Sequence, residues 1–122
     1  MSMIEKLEKQ VESFENDVSD VISTSIVKYD GFGLYNTGKV GFDSKKYSAM
    51  SAGLHGLSNR TLSALEGGDL VQTYIKGTET ELILMSIPDK KLFLSVTTKK
   101  DPNIGMILYQ MEQLVNELKE VL

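Results

Sequence analysis

One segment, from Asp43 to about Glu66, divides its side chains by size so sharply that it limits what the rest of the chain can become. At 100° per residue, Tyr47, Met50, Leu54, Leu57 and Leu65 gather on one side of a helix. Ala49, Ala52, Gly53 and Gly56 gather on the other. Each in-helix glycine costs about 1 kcal/mol relative to alanine, so a compensating gain is required. A second surface approaching closely over the small side chains would supply it. The segment is therefore expected to seat its large residues on the chain's own sheet. Its small ones would be offered to another helix.

The remaining elements follow from periodicity and punctuation. Ile4, Leu7, Val11, Phe14 and Val18 recur at spacings of three and four, which predicts a helix from Ser2 to about Asp17, with Ser2 as cap and Glu5 as its capping-box partner. From Val21 the residues turn β-branched and alternate up to Val27, and Tyr29-Asp30-Gly31 supplies a turn. Phe32 to Asn36 returns as a short second strand, ended by Thr37-Gly38. Asp43 or Ser44 caps the second helix, and Gly67-Gly68 stops it.

Three strands come next. Leu70 to Lys76 alternates, with Val71, Thr73 and Ile75 on one side. Glu81 to Ile87 and Leu92 to Thr98 are apolar on both faces, as central strands covered from both sides should be. Gly77-Thr78 and Pro88-Asp89 make the connecting turns. Asp101-Pro102 opens the last helix, with aspartate as cap and an apolar stripe from Ile104 to Val121. The fold class is α+β, a three-layer α/β/α sandwich around a five-stranded antiparallel sheet. The terminal helices share one face and the second helix covers the other. Residues 1–122 read as one domain of ordinary size.

Composition narrows function by exclusion. A net charge of −4 speaks against nucleic acid as a partner, because counterion release needs a basic surface. The lysine pairs Lys45-Lys46, Lys90-Lys91 and Lys99-Lys100 sit beside turns or strand ends and read as solvated punctuation. No apolar run reaches the roughly 18 residues a bilayer span requires, and the acidic amphipathic N-terminus is unlike a signal peptide. The absence of cysteine removes disulfides and thiol chemistry and fits a cytoplasmic location.

Ile26-Val27-Lys28-Tyr29-Asp30-Gly31 before the hairpin, Ser48-Ala49-Met50-Ser51-Ala52 in the second helix and Asn103-Ile104-Gly105 opening the last helix carry a resemblance. With this order of elements, the chain resembles the Roadblock dynein-light-chain family over nearly its whole length. The resemblance implies a homodimer or heterodimer joined through the second helix and third strand into one continuous sheet. Carried over by position, that surface would involve Ala49, Ala52, Gly53, Gly56, Val71, Thr73 and Ile75. It also implies a bacterial or archaeal member similar to the MglB-type regulators of Ras-like small GTPases. The residues support one part of this independently. Leu70 to Lys76 is short and alternating like an edge strand, and an unpaired edge is a template for a second copy.

Sites for chemistry are few. His55, the one histidine, falls beside the polar flank of its helix and reads as a partly exposed structural residue, since no second metal ligand stands at a fitting spacing. Asp30-Gly31-Phe32-Gly33 is better explained as a hairpin turn than as a phosphate loop. Arg60, the one arginine, lies beside the small-residue face and reads as an interface anchor rather than an arginine finger. No catalytic residue, metal or cofactor is expected. The chain reads as a noncatalytic dimeric module that binds or regulates a Ras-like GTPase. The alternatives are a light-chain-like or scaffold subunit without a nucleotide switch and, third, a profilin- or longin-like binding domain.

Overall fold

The computed structural model describes residues 1–38 and 43–122. Helix α1 (Met3–Asp17) is followed by strands β1 (Val21–Lys28) and β2 (Gly33–Asn36) and helix α2 (Ser44–Ala64). Strands β3 (Gln72–Lys76), β4 (Thr80–Ile87) and β5 (Leu92–Lys99) lead to helix α3 (Ile104–Val121). The strands form one antiparallel sheet in the order β2-β1-β5-β4-β3, so β2 and β3 are its edges and β5 its centre.

The two faces of the sheet differ in kind. On one face, α1 and α3 lay Leu7, Phe14, Ile107, Met111, Leu114 and Leu118 against Ile26, Ile83, Met85, Leu94 and Val96. On the other face, α2 closes a much smaller cluster of Val27, Ala52, Leu84 and Phe93. Paired residues of an antiparallel ladder share a face. Ser23, Ser25 and Ser95 therefore join Val27 and Phe93 beneath α2. Small side chains on the sheet let the helix come close. Gly33 shows how close: a Cβ there would stand 2.8 Å from the Ser48 hydroxyl.

Local chemistry sets the helix ends. Ser2 caps α1, its hydroxyl accepting from the Glu5 N–H at 3.2 Å and donating to the Glu5 carboxylate at 3.1 Å. Asp43 caps α2 by accepting from the N–H groups of Lys45 and Lys46. Two expectations shift by a residue or two. The left-handed residue that ends α2 is Glu66 (φ 54°), and the Gly67 N–H then donates back to the Leu62 carbonyl at 2.9 Å. Gly67 is required for a different reason, since a Cβ there would lie 2.3 Å from Leu62 Cδ1. The cap of α3 is Asn103 rather than Asp101. Its side chain accepts from the Met106 N–H at 3.2 Å, whereas Asp101 is at φ 50°.

Leu114 lies at 2% exposure in the larger core, so truncating it should empty space that neither helix can refill alone. Leu114→Ala is expected to cost about 2–5 kcal/mol in a denaturant titration. A loss below about 1 kcal/mol would mean that α3 contributes little to that core.

Candidate interaction surface

Helix α2 is seated by its small and polar residues, not by its large ones. Ser48, Ser51, Ala52 and His55 are its buried positions, and they face the sheet. Met50, Leu57 and Leu65 are 64%, 55% and 73% exposed. The expectation that the large stripe would rest on the chain's own sheet is thus corrected. With serines on both opposing surfaces, the gap is too narrow for leucine or methionine. Tyr47 and Leu54 are half-buried on the flank. Tyr47 reaches the sheet by a hydrogen bond between its hydroxyl and that of Ser95.

The residues picked out from sequence separate accordingly. Ala49, Gly53 and Arg60 are exposed and Gly56 is half-buried. Ala52 is drawn into the core with Val27, Leu84 and Phe93, which removes it from any surface offered to a partner. A Cβ on Gly53 would meet nothing within 4 Å, and one on Gly56 would meet only the Arg60 guanidinium at 3.7 Å. Neither glycine is demanded by a contact inside the chain. Glu81, buried beneath the opposite face, accepts a hydrogen bond from the Tyr74 hydroxyl, and that bond is the main cause of a Tyr74 pKa above the ordinary phenol value.

Strand β3 supplies the other half of the surface. It pairs with β4 alone and leaves its outer edge open. Thr73 and Ile75 pair with Leu84 and Leu82, so they share the α2 face of the sheet. Ile75 and Val71 are exposed, whereas Thr73 is half-buried with its hydroxyl oxygen buried and without a hydrogen-bond partner. Between α2 and this strand runs an apolar groove of about 600 Å³, lined by Leu54, Leu57, Leu62, Leu65, Leu70 and Val71 among others. Met50, Leu57 and Leu65 have the helical spacing of a core stripe, yet they belong to the surface. The Ser48, Ser51, Ala52, His55 spacing, facing strands rich in serine, was the signal for the true inner face.

His55 is also more deeply placed than expected. It is 4% exposed, stacks on Phe93 at 4.7 Å between ring centroids and tilts against Tyr29 at 4.5 Å. Its Nε2 shares a 3.2 Å hydrogen bond with the Ser86 hydroxyl. The histidine remains structural, a pin holding α2 to β4 and β5. Among the described residues there is no group of three or more His, Cys, Asp or Glu placed to hold a metal ion. No described helix is long and apolar enough to cross a membrane.

Comparison with known proteins agrees with this architecture. A family model for the Roadblock/LC7 domain matches residues 7–98, and the chain belongs to that family. No curated protein matches it in sequence. Among solved structures it is similar to MglB of Myxococcus xanthus, at 13% identity over 95% of this chain and 94% of that one, with a TM-score of 0.87. An MglB in a tetrameric arrangement aligns at 10% identity over 99% and 90%, with a TM-score of 0.89. A Roadblock/LC7 domain from Streptomyces avermitilis aligns at 19% identity over 89% and 91%, with a TM-score of 0.82.

Burial disfavours the imidazolium form of His55 and lowers its pKa below the ordinary value of 6.5. The unfolded chain then binds the extra proton first, so acid favours unfolding. Stability from this group should be complete above about pH 6.5, fall as the pH drops below that value, and level off below the folded-state pKa. Denaturant titrations at pH 7.5 and 5.5 should differ less in His55→Gln than in the parent. An equal pH dependence in the two proteins would remove His55 as the cause.

Proposed function

We propose that this protein is a noncatalytic dimeric interaction module that binds a Ras-like small GTPase. The observation that carries the dimer is the apolar outer face of α2, continuous across the groove with the free edge of β3. Exposed apolar residues gathered on one surface usually mark an interaction site, and an open strand edge invites pairing with another strand. Gly53 and Gly56 support the same reading, because their open surroundings let another helix approach at close range. The proposed contact surface comprises Ala49, Gly53, Gly56, Arg60, Val71, Thr73 and Ile75, now joined by Met50, Leu57 and Leu65. Membership of the Roadblock/LC7 family and the likeness in fold to MglB support a GTPase as the further partner.

Ala52→Glu would damage the chain's own core and so cannot report on association. Leu57→Asp places the charge on the exposed side instead. Light scattering is expected to give twice the chain mass for the parent and a shift toward monomer for Leu57→Asp. A parent that stays monomeric at high concentration would sink the dimer.

Capture of a small GTPase from the native cell should depend on whether a GTP analogue or GDP is present. Nucleotide-blind capture of another protein would instead favour the light-chain-like scaffold. If the dimer accelerates GTP hydrolysis, it should do so by positioning the GTPase's own groups. Arg60→Ala would then weaken binding while leaving turnover at saturating protein nearly unchanged. Kinetics at saturation separate the cases, because a transition-state contact lowers the rate and an anchor lowers affinity. A fall of about 10²-fold or more in saturated turnover would identify Arg60 as a finger.

A further inference from the structure

A second cavity, on the α2 face where β1 and β4 end, differs in chemistry from the apolar groove. It measures about 500 Å³, a size that suits a small ligand. His55 and Asn59 of α2, Asp69 ahead of β3, Ser86 of β4, Asp89 in the following turn and Tyr29 beyond β1 line it. Backbone bonds tie these walls together. The Tyr29 N–H donates to the Lys91 carbonyl at 3.1 Å, and the Ser86 N–H donates to the Val71 carbonyl at 3.0 Å.

The lining is rich in acceptors. Of the described residues that form it, Asp69 and Asp89 alone carry charge. Neither carboxylate is held in an ion pair or hydrogen bond among the described residues. His55 is buried, and the Ser86 hydroxyl on Nε2 is the one hydrogen-bond partner of its ring among those residues. With the proton on Nε2, donated to Ser86, Nδ1 is a vacant acceptor. Burial lowers the pKa of the ring, so near pH 7 it is neutral and does not repel a cation. The exposed Tyr29 ring, 4.5 Å from that of His55 between centroids, adds an aromatic surface.

We propose that this cavity binds a guanidinium group, with Asp69, Asp89 and His55 Nδ1 accepting its N–H bonds and Tyr29 against its flat face. A guanidinium is planar, permanently charged, donates five N–H bonds and stacks on aromatic rings. An ammonium is a compact, strongly hydrated point charge with no flat face to stack. An anionic, acceptor-rich wall beside an aromatic ring matches the first better than the second. The chemistry is the same whether the group belongs to a free small molecule or to an arginine side chain of another protein.

His55 is the only histidine, so its ring-proton NMR signals report on this cavity without ambiguity. Titrating the full chain with butylguanidinium should shift those signals saturably. Butylurea, neutral and similar in shape, should leave them in place, and butylammonium should bind about tenfold more weakly. The double variant Asp69→Asn, Asp89→Asn should weaken butylguanidinium binding about tenfold or more. Both positions are exposed, and asparagine tolerates the left-handed backbone of Asp89 (φ 65°), so the variant should fold. A capped arginine that binds like butylguanidinium supports a protein side chain as the source, and binding of butylguanidinium alone supports a free small molecule. No saturable shift, an equal response to butylurea or butylammonium, or undiminished binding in the double variant overturns the site. None of these results depends on whether the chain dimerises.

Discussion

The rest of the molecule depends on how thinly α2 is seated. Its inner face is Ser48, Ser51, Ala52 and His55, and the strands beneath answer with serines and a glycine that all but touches Ser48. Such a contact buries little apolar area, so the helix gains far less from its own sheet than α1 and α3 gain from theirs. At about 25 cal/mol per Å² of apolar area buried, that difference in side-chain size is a difference in stability. Specific pins take up part of it: the stacked His55 ring, its bond to Ser86, and the Tyr47–Ser95 hydroxyl pair. Because the inner face is small, the large side chains of the helix have nowhere to go but outward.

Two consequences of that seating meet at one place. The apolar outer face of α2 borders a groove, and the far wall of the groove is the start of β3, the strand with an unpaired edge. A helix surface and a strand edge are ordinarily separate hazards, managed by charge or by shortening. Here β3 carries Lys76 at one end, while Ile75 on its α2 side and Val71 just before it are exposed to solvent. The other edge, β2, is four residues long and overlain by the N-terminal part of α2 at Gly33 and Ser48. Of the two edges, β3 is the one bordered by a continuous apolar surface, and the proposed dimer uses both of its features at once.

How much of this could be read from sequence depended on which physical signal was asked to decide. Alternation, turn residues and caps located all eight elements, because those signals act within a few residues. The apolar character of Leu82-Ile83-Leu84-Met85 and Leu92-Phe93-Leu94 correctly marked β4 and β5 as interior strands, since only a strand covered on both faces can bury both sets of side chains. Asp101 and Asn103 both resemble caps around Pro102. Only the left-handed conformation of Asp101 decided between them. The orientation of α2 does not follow from its apolar stripe, because a stripe says that a surface wants covering, not which surface covers it. For α1 and α3 the cover is the same chain. For α2 the large stripe stays exposed on this chain, and the sign of that lay in the serines of β1 and β5, whose small size becomes meaningful only once the sheet order sets them side by side.

The same logic bears on Arg60. Its guanidinium lies near Gly56, on the outward side of a helix whose neighbouring exposed residues are Gly53 and Leu57. An arginine that stabilises a transferring phosphoryl group must extend into another protein's active site and hold its charge there during the reaction. Here the guanidinium instead lies beside Gly56 of its own helix, and Arg60 is exposed. That placement fits the proposed role of Arg60 as a charge at the rim of a helix–helix contact, its head solvated. Both features of α2 lie on its outward side, the side that the proposed contact uses.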